Sequence, residues 1–230
     1  MDPDKILSDK EAFKVYLKDI LSSRDRRVIS KDGLKPSAVL IPLCYKDGNP
    51  TVILTKRSMN VEYHKGEISF PGGGVEVDDK NIEATALRET KEEIGLPSDA
   101  VDVLGLIDDH ISLLGFHMAA VVGMVPYPYR FEINSESEAL LWLPLRHALK
   151  DNVWMAERKV WEKWSVNVYY LKTEVGVVWG ATGRILKHFV DLIAGRKIAY
   201  GPLSQEAKDW VEGVMSAQDT YPRQSRLTPD

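Results

Sequence analysis

The sequence predicts an α+β protein in which helices pack on a largely antiparallel or mixed sheet. Three observations predict it. Apolar residues fall into strand-length runs on both sides of one central helical segment, and further helical segments follow the last strand. A composition of 44% hydrophobic and 28% charged residues excludes disorder and a fibrous class. The length of 230 residues suits a single domain over 1–230, with a core at about 36–194.

The first element is an amphipathic helix over 4–23, because Ile6, Phe13, Tyr16, Leu17, Ile20 and Leu21 recur at helical spacing. The basic, polar stretch Arg24–Lys35 reads as a connector. Ala38–Tyr45 and Thr51–Thr55 flank the turn signal Lys46–Pro50 and read as a hairpin. A glycine run, Gly72–Gly74, precedes a helix of about fifteen residues that is started by Asp78 or Asp79 as N-cap and stopped by Gly95 and Pro97. Val101–Ile107, His117–Val125, Ala139–Leu143 and Ser165–Leu171 read as strands, the last ambiguous at its start because Trp161 and Trp164 also fit a helix. Val178–Ala194 and Leu203–Met215 read as helices. The polar, proline-containing end Ser216–Asp230 reads as a fraying tail.

A net charge of −4 argues against a surface built to neutralise a long nucleic acid, and leaves a small anionic substrate open. The acidic start and the lack of any long apolar run predict a cytoplasmic protein with no membrane association. Cys44 stands alone inside an apolar run, which fits a small core residue and excludes a thiolate metal cage. His64, His110 and His117 have no zinc-ligand spacing. Trp154, Trp161 and Trp164 fit a core or an oligomer interface, so a homodimer is left open, with stacking on a base as a third use.

The chemistry concentrates in the helix after the glycine run. Glu89, Glu92 and Glu93 stand at i, i+3 and i+4, a spacing that gathers three carboxylates on one side of a helix, near the negative end of its dipole. Arg88 can neutralise Glu92, which leaves Glu89 and Glu93 one turn apart without a cation supplied by the local sequence. A solvated charged face is the plain alternative. The glycines Gly72, Gly73 and Gly74 immediately upstream permit close backbone approach to a phosphate, so a phosphate cradle leads into a helix able to hold a divalent cation.

Gly73 to Leu96 resembles the Nudix box, a glycine loop followed by R-E-aliphatic-x-E-E-x-G-aliphatic, with Arg88, Glu89, Glu92, Glu93, Gly95 and Leu96 on matching positions. Thr90 stands where an aliphatic residue is expected. The loop is one residue longer than usual, so Lys80 falls at the place of an earlier glutamate that Asp78 or Asp79 could replace. Leu54–Ser58, His64, Gly66 and Phe70–Gly73 are similar to the signature that precedes the box in coenzyme A pyrophosphatases, and Val178–Thr182 also looks like a segment of that branch. Glu62 departs from it, standing where that branch has arginine.

The resemblance implies a Nudix-type α/β/α sandwich with a mixed sheet, carrying added N-terminal and C-terminal helices. It implies Mg²⁺, or Mn²⁺, held by Glu89, Glu92 and Glu93, with Arg88 and Gly95 structural, since Mg²⁺ takes few protein carboxylates and fills its shell with water and phosphate. Glu92 could also hold the attacking water. A downstream carboxylate is expected to complete the site, Glu136 first and Glu138 second, either of which also fits a plain surface residue. Arg57 fits a phosphate contact or a strand edge. The implied reaction is hydrolysis of the diphosphate of coenzyme A or acyl-coenzyme A, a small-molecule nucleotide substrate. The alternatives are an ADP-ribose or dinucleotide pyrophosphatase and a non-catalytic ligand sensor on the same fold.

Overall fold

The computed structural model describes residues 3–29, 33–60, 65–112, 115–161 and 164–196. The expected helix Leu203–Met215, the tail after it, and the signature positions Glu62 and His64 lie outside the described residues.

The N-terminal segment is two helices, α1 (Pro3–Ser8) and α2 (Lys10–Ser22), where one was expected. The break is Asp9, whose extended backbone and side chain cap α2 by accepting from the N–H groups of Glu11 and Ala12 at 2.9 and 3.0 Å. Phe13, Leu17 and Leu21 then form the buried stripe of α2.

The hairpin forms as β1 (Lys35–Lys46) and β2 (Asn49–Arg57), closed between Lys46 and Asn49 by Asp47-Gly48, both at positive φ. An Asp-Gly pair in this conformation matches the twist of the two strands. After β3 (Ile68–Ser69) and β4 (Gly72–Gly74) comes α3 (Ile82–Ile94), followed by β5 (Asp102–Leu106), β6 (His110–Ile111), β7 (Phe116–Met124) and β8 (Ser137–Pro144). These strands make one mixed sheet along β3-β2-β1-β7-β5, in which β1 and β7 run parallel while β4, β6 and β8 pair antiparallel with β1, β7 and β2.

A short α4 (Leu145–Ala148) leads to a second sheet that the sequence reading only partly anticipated: β9 (Trp154–Trp161), β10 (Trp164–Thr173) and β11 (Gly176–Val178), all antiparallel. The last helix, α5, begins at Gly180 and ends at Ile193, so Val178 is the end of a strand and not the start of a helix.

Alternation along β1 sorts the core into two layers. Ala38 and Leu40 pack with Ala86 and Ile94 of α3, whereas Val39, Ile41 and Leu43 pack with Phe13 and Leu17 of α2 and with Leu186, Phe189 and Val190 of α5. The result is the expected α/β/α sandwich. Cys44 is fully buried in the α3 layer, and burial pushes its thiol up to about 11, which makes it an inert core residue. Among the described residues no helix is long and apolar enough to cross a membrane.

Candidate active site

The central helix α3 is fastened at both ends. Asn81, rather than Asp78 or Asp79, is its N-cap, accepting from Ala84 N–H at 2.8 Å. Gly95 closes it in the left-handed region at φ 69°, with its N–H donating to Lys91 O. Thr85, Ala86, Thr90, Glu93 and Ile94 are buried, so the face turned to the sheet carries a carboxylate. Thr90 occupies the aliphatic position of the box without a loose hydroxyl, because its Oγ1 donates to Ala86 O at 2.6 Å inside the helix.

The three glutamates diverge more than their spacing suggested. Glu93 is 6% exposed, while the side chains of Glu89 and Glu92 are 17% and 56% exposed. Steps of three and four residues differ by about 100° of helix rotation, so Glu93 turns under α3 toward the sheet while Glu92 looks outward.

Glycine chemistry meets carboxylate chemistry at β4. A Cβ on Gly73 would fall 2.5 Å from Glu89 Cδ, so Glu89 lies directly over the bare backbone. Gly72, at φ 157°, would place a Cβ 2.6 Å from Val39 Cα, and its N–H favours the charged form of Glu93. Gly74 is open, with no atom within 4 Å of an added Cβ, and its carbonyl accepts from Arg88 at 2.8 Å.

Arg88 joins these parts. It forms a fork with Asp79, Nε to Oδ1 and Nη2 to Oδ2 both at 3.0 Å, and reaches Glu89 at 3.0 Å and Glu92 at 3.4 Å. Asp79 also accepts from Thr85 Oγ1 and from Glu76 N–H, each at 2.9 Å. The Arg88 fork, helped by Glu76 N–H, holds the Asp79 carboxyl well below the usual range. Asp79 is therefore an anchor for Arg88, and the turn from Glu76 to Asp79 absorbs the longer loop. The sequence reading did not assign this anchoring role, although an acid preceding an arginine-bearing helix by one turn is a usable signal.

Two further elements bring residues to Glu93. Arg57, at the end of β2, stands 3.6 Å from Glu136 and acts on Glu93 as its neighbouring cation. The segment carrying Glu136 is laced to the C-terminal end of α3: Glu132 N–H donates to Ile94 O and Asn134 N–H to Glu93 O, both at 3.0 Å, while Tyr129 Oη donates to Gly95 O at 3.1 Å. Asn134 Oδ1 then accepts from Glu136 N–H at 2.9 Å, and Glu136 O accepts from Ser58 N–H at 2.7 Å. Glu138 points elsewhere, paired with Lys56 at 3.3 Å. Asn134, which bridges Glu93 and Glu136, carries no distinctive signal in the sequence.

Electrostatics single out Glu93. Burial pushes its carboxyl up to about 8, Glu89 and Glu136 push in the same direction, and Arg57 with the Gly72 N–H opposes them. Its Oε2 is buried without a hydrogen-bond partner. Burial also raises Glu89, against the pull of Arg88.

Residues 34–164, more than half of the chain, match the NUDIX domain model. The chain belongs to the Nudix hydrolase family. It is 35% identical over 193 residues to the uncharacterized Nudix hydrolase NudL of Yersinia pestis (strain Pestoides F), covering 84% of this chain and 88% of that protein. NudL of Yersinia pseudotuberculosis serotype O:1b (strain IP 31758) gives the same figures. Solved structures with a similar chain include a C. elegans Ap4A hydrolase binary complex, at 17% identity and TM-score 0.43 over 48% of this chain and 80% of that one. Another is the M. smegmatis Nudix hydrolase RenU, at 22% and 0.42 over 54% and 82%. As a Nudix hydrolase the chain is an enzyme that hydrolyses pyrophosphate bonds, in a family that uses divalent metal ions.

The residues fit such an ion. A buried carboxylate oxygen with no hydrogen-bond partner, beside a second carboxylate over bare backbone, is a donor set suited to a divalent cation. Among the described residues no three His, Cys, Asp or Glu side chains stand together in ligating geometry.

Proposed function

We propose that this Nudix hydrolase cleaves the diphosphate bond of coenzyme A or an acyl-coenzyme A, releasing 3′,5′-ADP and 4′-phosphopantetheine or its acyl form, with Mg²⁺ as the working ion and Mn²⁺ as a substitute. The observation that carries this reading is the Glu93 carboxylate, buried and unpartnered at Oε2, adjoining Glu89 at the Gly72–Gly73 backbone. The choice of coenzyme A is supported by the stretch Leu54–Ser58 and Phe70–Gly73, whose Arg57 lies beside Glu136 at this site.

Glu89 and Glu93 would hold the cation, with Glu92 contributing from the open side. When bound, the ion polarises a phosphoryl oxygen and lowers the pKa of a nucleophilic water. Arg88 sets the rotamers of Glu89 and Glu92 while Asp79 fixes Arg88. Gly72, Gly73 and Gly74 let the phosphates approach backbone that carries no side chain. Glu136 takes the proton of the attacking water, and Arg57 offers its guanidinium fork to a phosphate.

The test is product analysis with coenzyme A, an acyl-coenzyme A, ADP-ribose and NADH in Mg²⁺. Release of 3′,5′-ADP from the first two is the expected result. Faster turnover of ADP-ribose or NADH would move the substrate to that class, and binding without hydrolysis of any of the four would make the site a ligand sensor.

A further inference from the structure

Under the proposed function Glu136 takes the proton of the attacking water, yet its immediate surroundings do little to aim it. Its side chain is 55% exposed, and its ion pair with Arg57 spans 3.6 Å. A solvated glutamate keeps most of its rotamer freedom, whereas proton transfer needs the accepting oxygen within hydrogen-bond reach of the water. The direction of the carboxylate must therefore come from the backbone that carries it.

That backbone is held from two sides. The Glu136 carbonyl accepts from Ser58 N–H at 2.7 Å, and Ser58 is buried just past the end of β2, its Oγ accepting from Asn60 N–H at 3.1 Å. The Glu136 N–H donates to Asn134 Oδ1 at 2.9 Å. The β2–β8 register slips between Lys56 and Arg57, whose partners are Ala139 and Ser137, so Glu138 bulges out and the ladder ends at Ser137. Past that point Asn134 holds the N-terminal side of Glu136.

Asn134 is also where this loop meets α3. Its own N–H donates to Glu93 O at 3.0 Å, and its carbonyl accepts from Ser137 N–H at 3.2 Å. The last carbonyls of a helix have no partner within the helix. At the end of α3 those of Glu93, Ile94 and Gly95 are taken by Asn134 N–H, Glu132 N–H and Tyr129 Oη, all from one loop. Two hydrogen bonds through a single residue thus connect Glu93, whose carboxylate is buried in the site, with Glu136, whose carboxylate is exposed. Only the bond to Glu136 uses the side chain. A short side-chain acceptor closes such a turn onto the N–H two residues ahead, which Asn and Asp do well and Ala cannot do.

We propose that Asn134 is a positioning residue for hydrolysis: its amide oxygen fixes the backbone of Glu136 against the Glu93 end of α3 and so aims the Glu136 carboxylate into the site. This role rests on Glu136 as the proton acceptor and is independent of which diphosphate is the substrate. Removing the amide leaves both backbone bonds of Asn134 in place and frees a Glu136 N–H that lies at the surface, where water satisfies it. A turn that only shaped the loop would act on folding and substrate binding, whereas one that aims Glu136 acts on kcat through Glu136.

The experiment measures kcat, KM and thermal melts of the full-length protein at saturating Mg²⁺, on the substrate that wild type hydrolyses fastest. The variants are Glu136→Gln, Asn134→Ala, Asn134→Asp and the double variant Asn134→Ala/Glu136→Gln. Glu136→Gln lowers kcat about 100-fold. Asn134→Ala lowers it about tenfold with KM unchanged. Asn134→Asp, which keeps the acceptor, restores most of that loss, and the double variant is no slower than Glu136→Gln alone. Should Asn134→Ala fail to fold, Asn134→Gln, which carries its amide on a side chain too long for the turn, takes its place in the cycle. Wild-type kcat in Asn134→Ala, a further loss of about tenfold in the double variant, or Asn134→Asp no faster than Asn134→Ala overturns the positioning role and leaves Glu136 as the proton acceptor. Wild-type kcat in Glu136→Gln removes Glu136 from that role, and the positioning role with it.

Discussion

Glu89 rests its carboxylate on Gly73, close enough that a methyl group on Gly73 would displace it. Because the atom in the way is the end of a flexible side chain, Gly73→Ala is expected to fold with a stability change of less than about 1 kcal/mol. Its activity falls at least tenfold, since Glu89 has to swing off the turn. Thermal melts and kcat check this together, and a variant with normal turnover would remove Glu89 from its assigned place.

Asp79 acts through Arg88. Asp79→Asn keeps the shape and gives up the charge that holds the arginine fork. Loss of an outer partner of this kind lowers metal affinity or activity by about 10–100-fold. The expected signature is a higher Mg²⁺ concentration for half-maximal rate, with kcat at saturating Mg²⁺ largely recovered. An unchanged Mg²⁺ dependence would count against the anchoring role.

His110 of β6 and His188 of α5, whose ring nitrogens stand 3.1 Å apart, give a pH dependence whose sign can be worked out. Burial lowers His110 from its ordinary 6.5 to about 3, and the same cause lowers His188. Between those values the unfolded chain binds a proton that the native His110 does not, so stability falls as pH falls. From pH 6.5 to 5 the loss from His110 alone is about 1.5 kcal/mol. His110→Gln is expected to flatten the dependence of stability on pH across that window, as measured by urea melts. Parallel curves for variant and wild type would contradict it.

Much of the site was legible because it is local. The glycine turn, the box carboxylates and the helix stop lie within residues 72–96, and helical periodicity sets the three carboxylates close along α3, while the pairing of β4 with β1 seats the glycines beside them. What was hidden depends on tertiary partners. Nothing in the sequence around His110 points to His188, 78 residues away. β9 was missed because Glu157, Arg158 and Lys159 interrupt the alternation that marks a strand, and only pairing with β10 makes the segment extended. Asn81 took the cap from Asp79 because Arg88 holds the aspartate.

A buried carboxylate whose Oε2 has no hydrogen-bond partner makes Glu93 unfavourable for the metal-free fold. Its folded value near 8 lies above the ordinary 4.5, so wild type loses stability as pH rises from 4.5 toward 8, by up to a few kcal/mol. Glu93→Gln has no such titration, and the metal-free variant is expected to melt above wild type by a margin that widens between pH 5 and 8. Adding Mg²⁺ raises the melting temperature of wild type and narrows the gap. A margin independent of both pH and Mg²⁺ would show that Glu93 is not the charge the site is built around.

The most direct measurement is turnover by Glu92→Gln and Glu93→Gln at saturating Mg²⁺, on whichever of coenzyme A, acyl-coenzyme A, ADP-ribose or NADH wild type hydrolyses fastest. Both changes are isosteric, and neither opens a cavity, so a lost rate reports lost chemistry. Glu93→Gln is predicted to lower kcat by at least 100-fold and Glu92→Gln to lower it strongly, with both proteins folded by circular dichroism. Near-wild-type turnover by both variants would contradict the account.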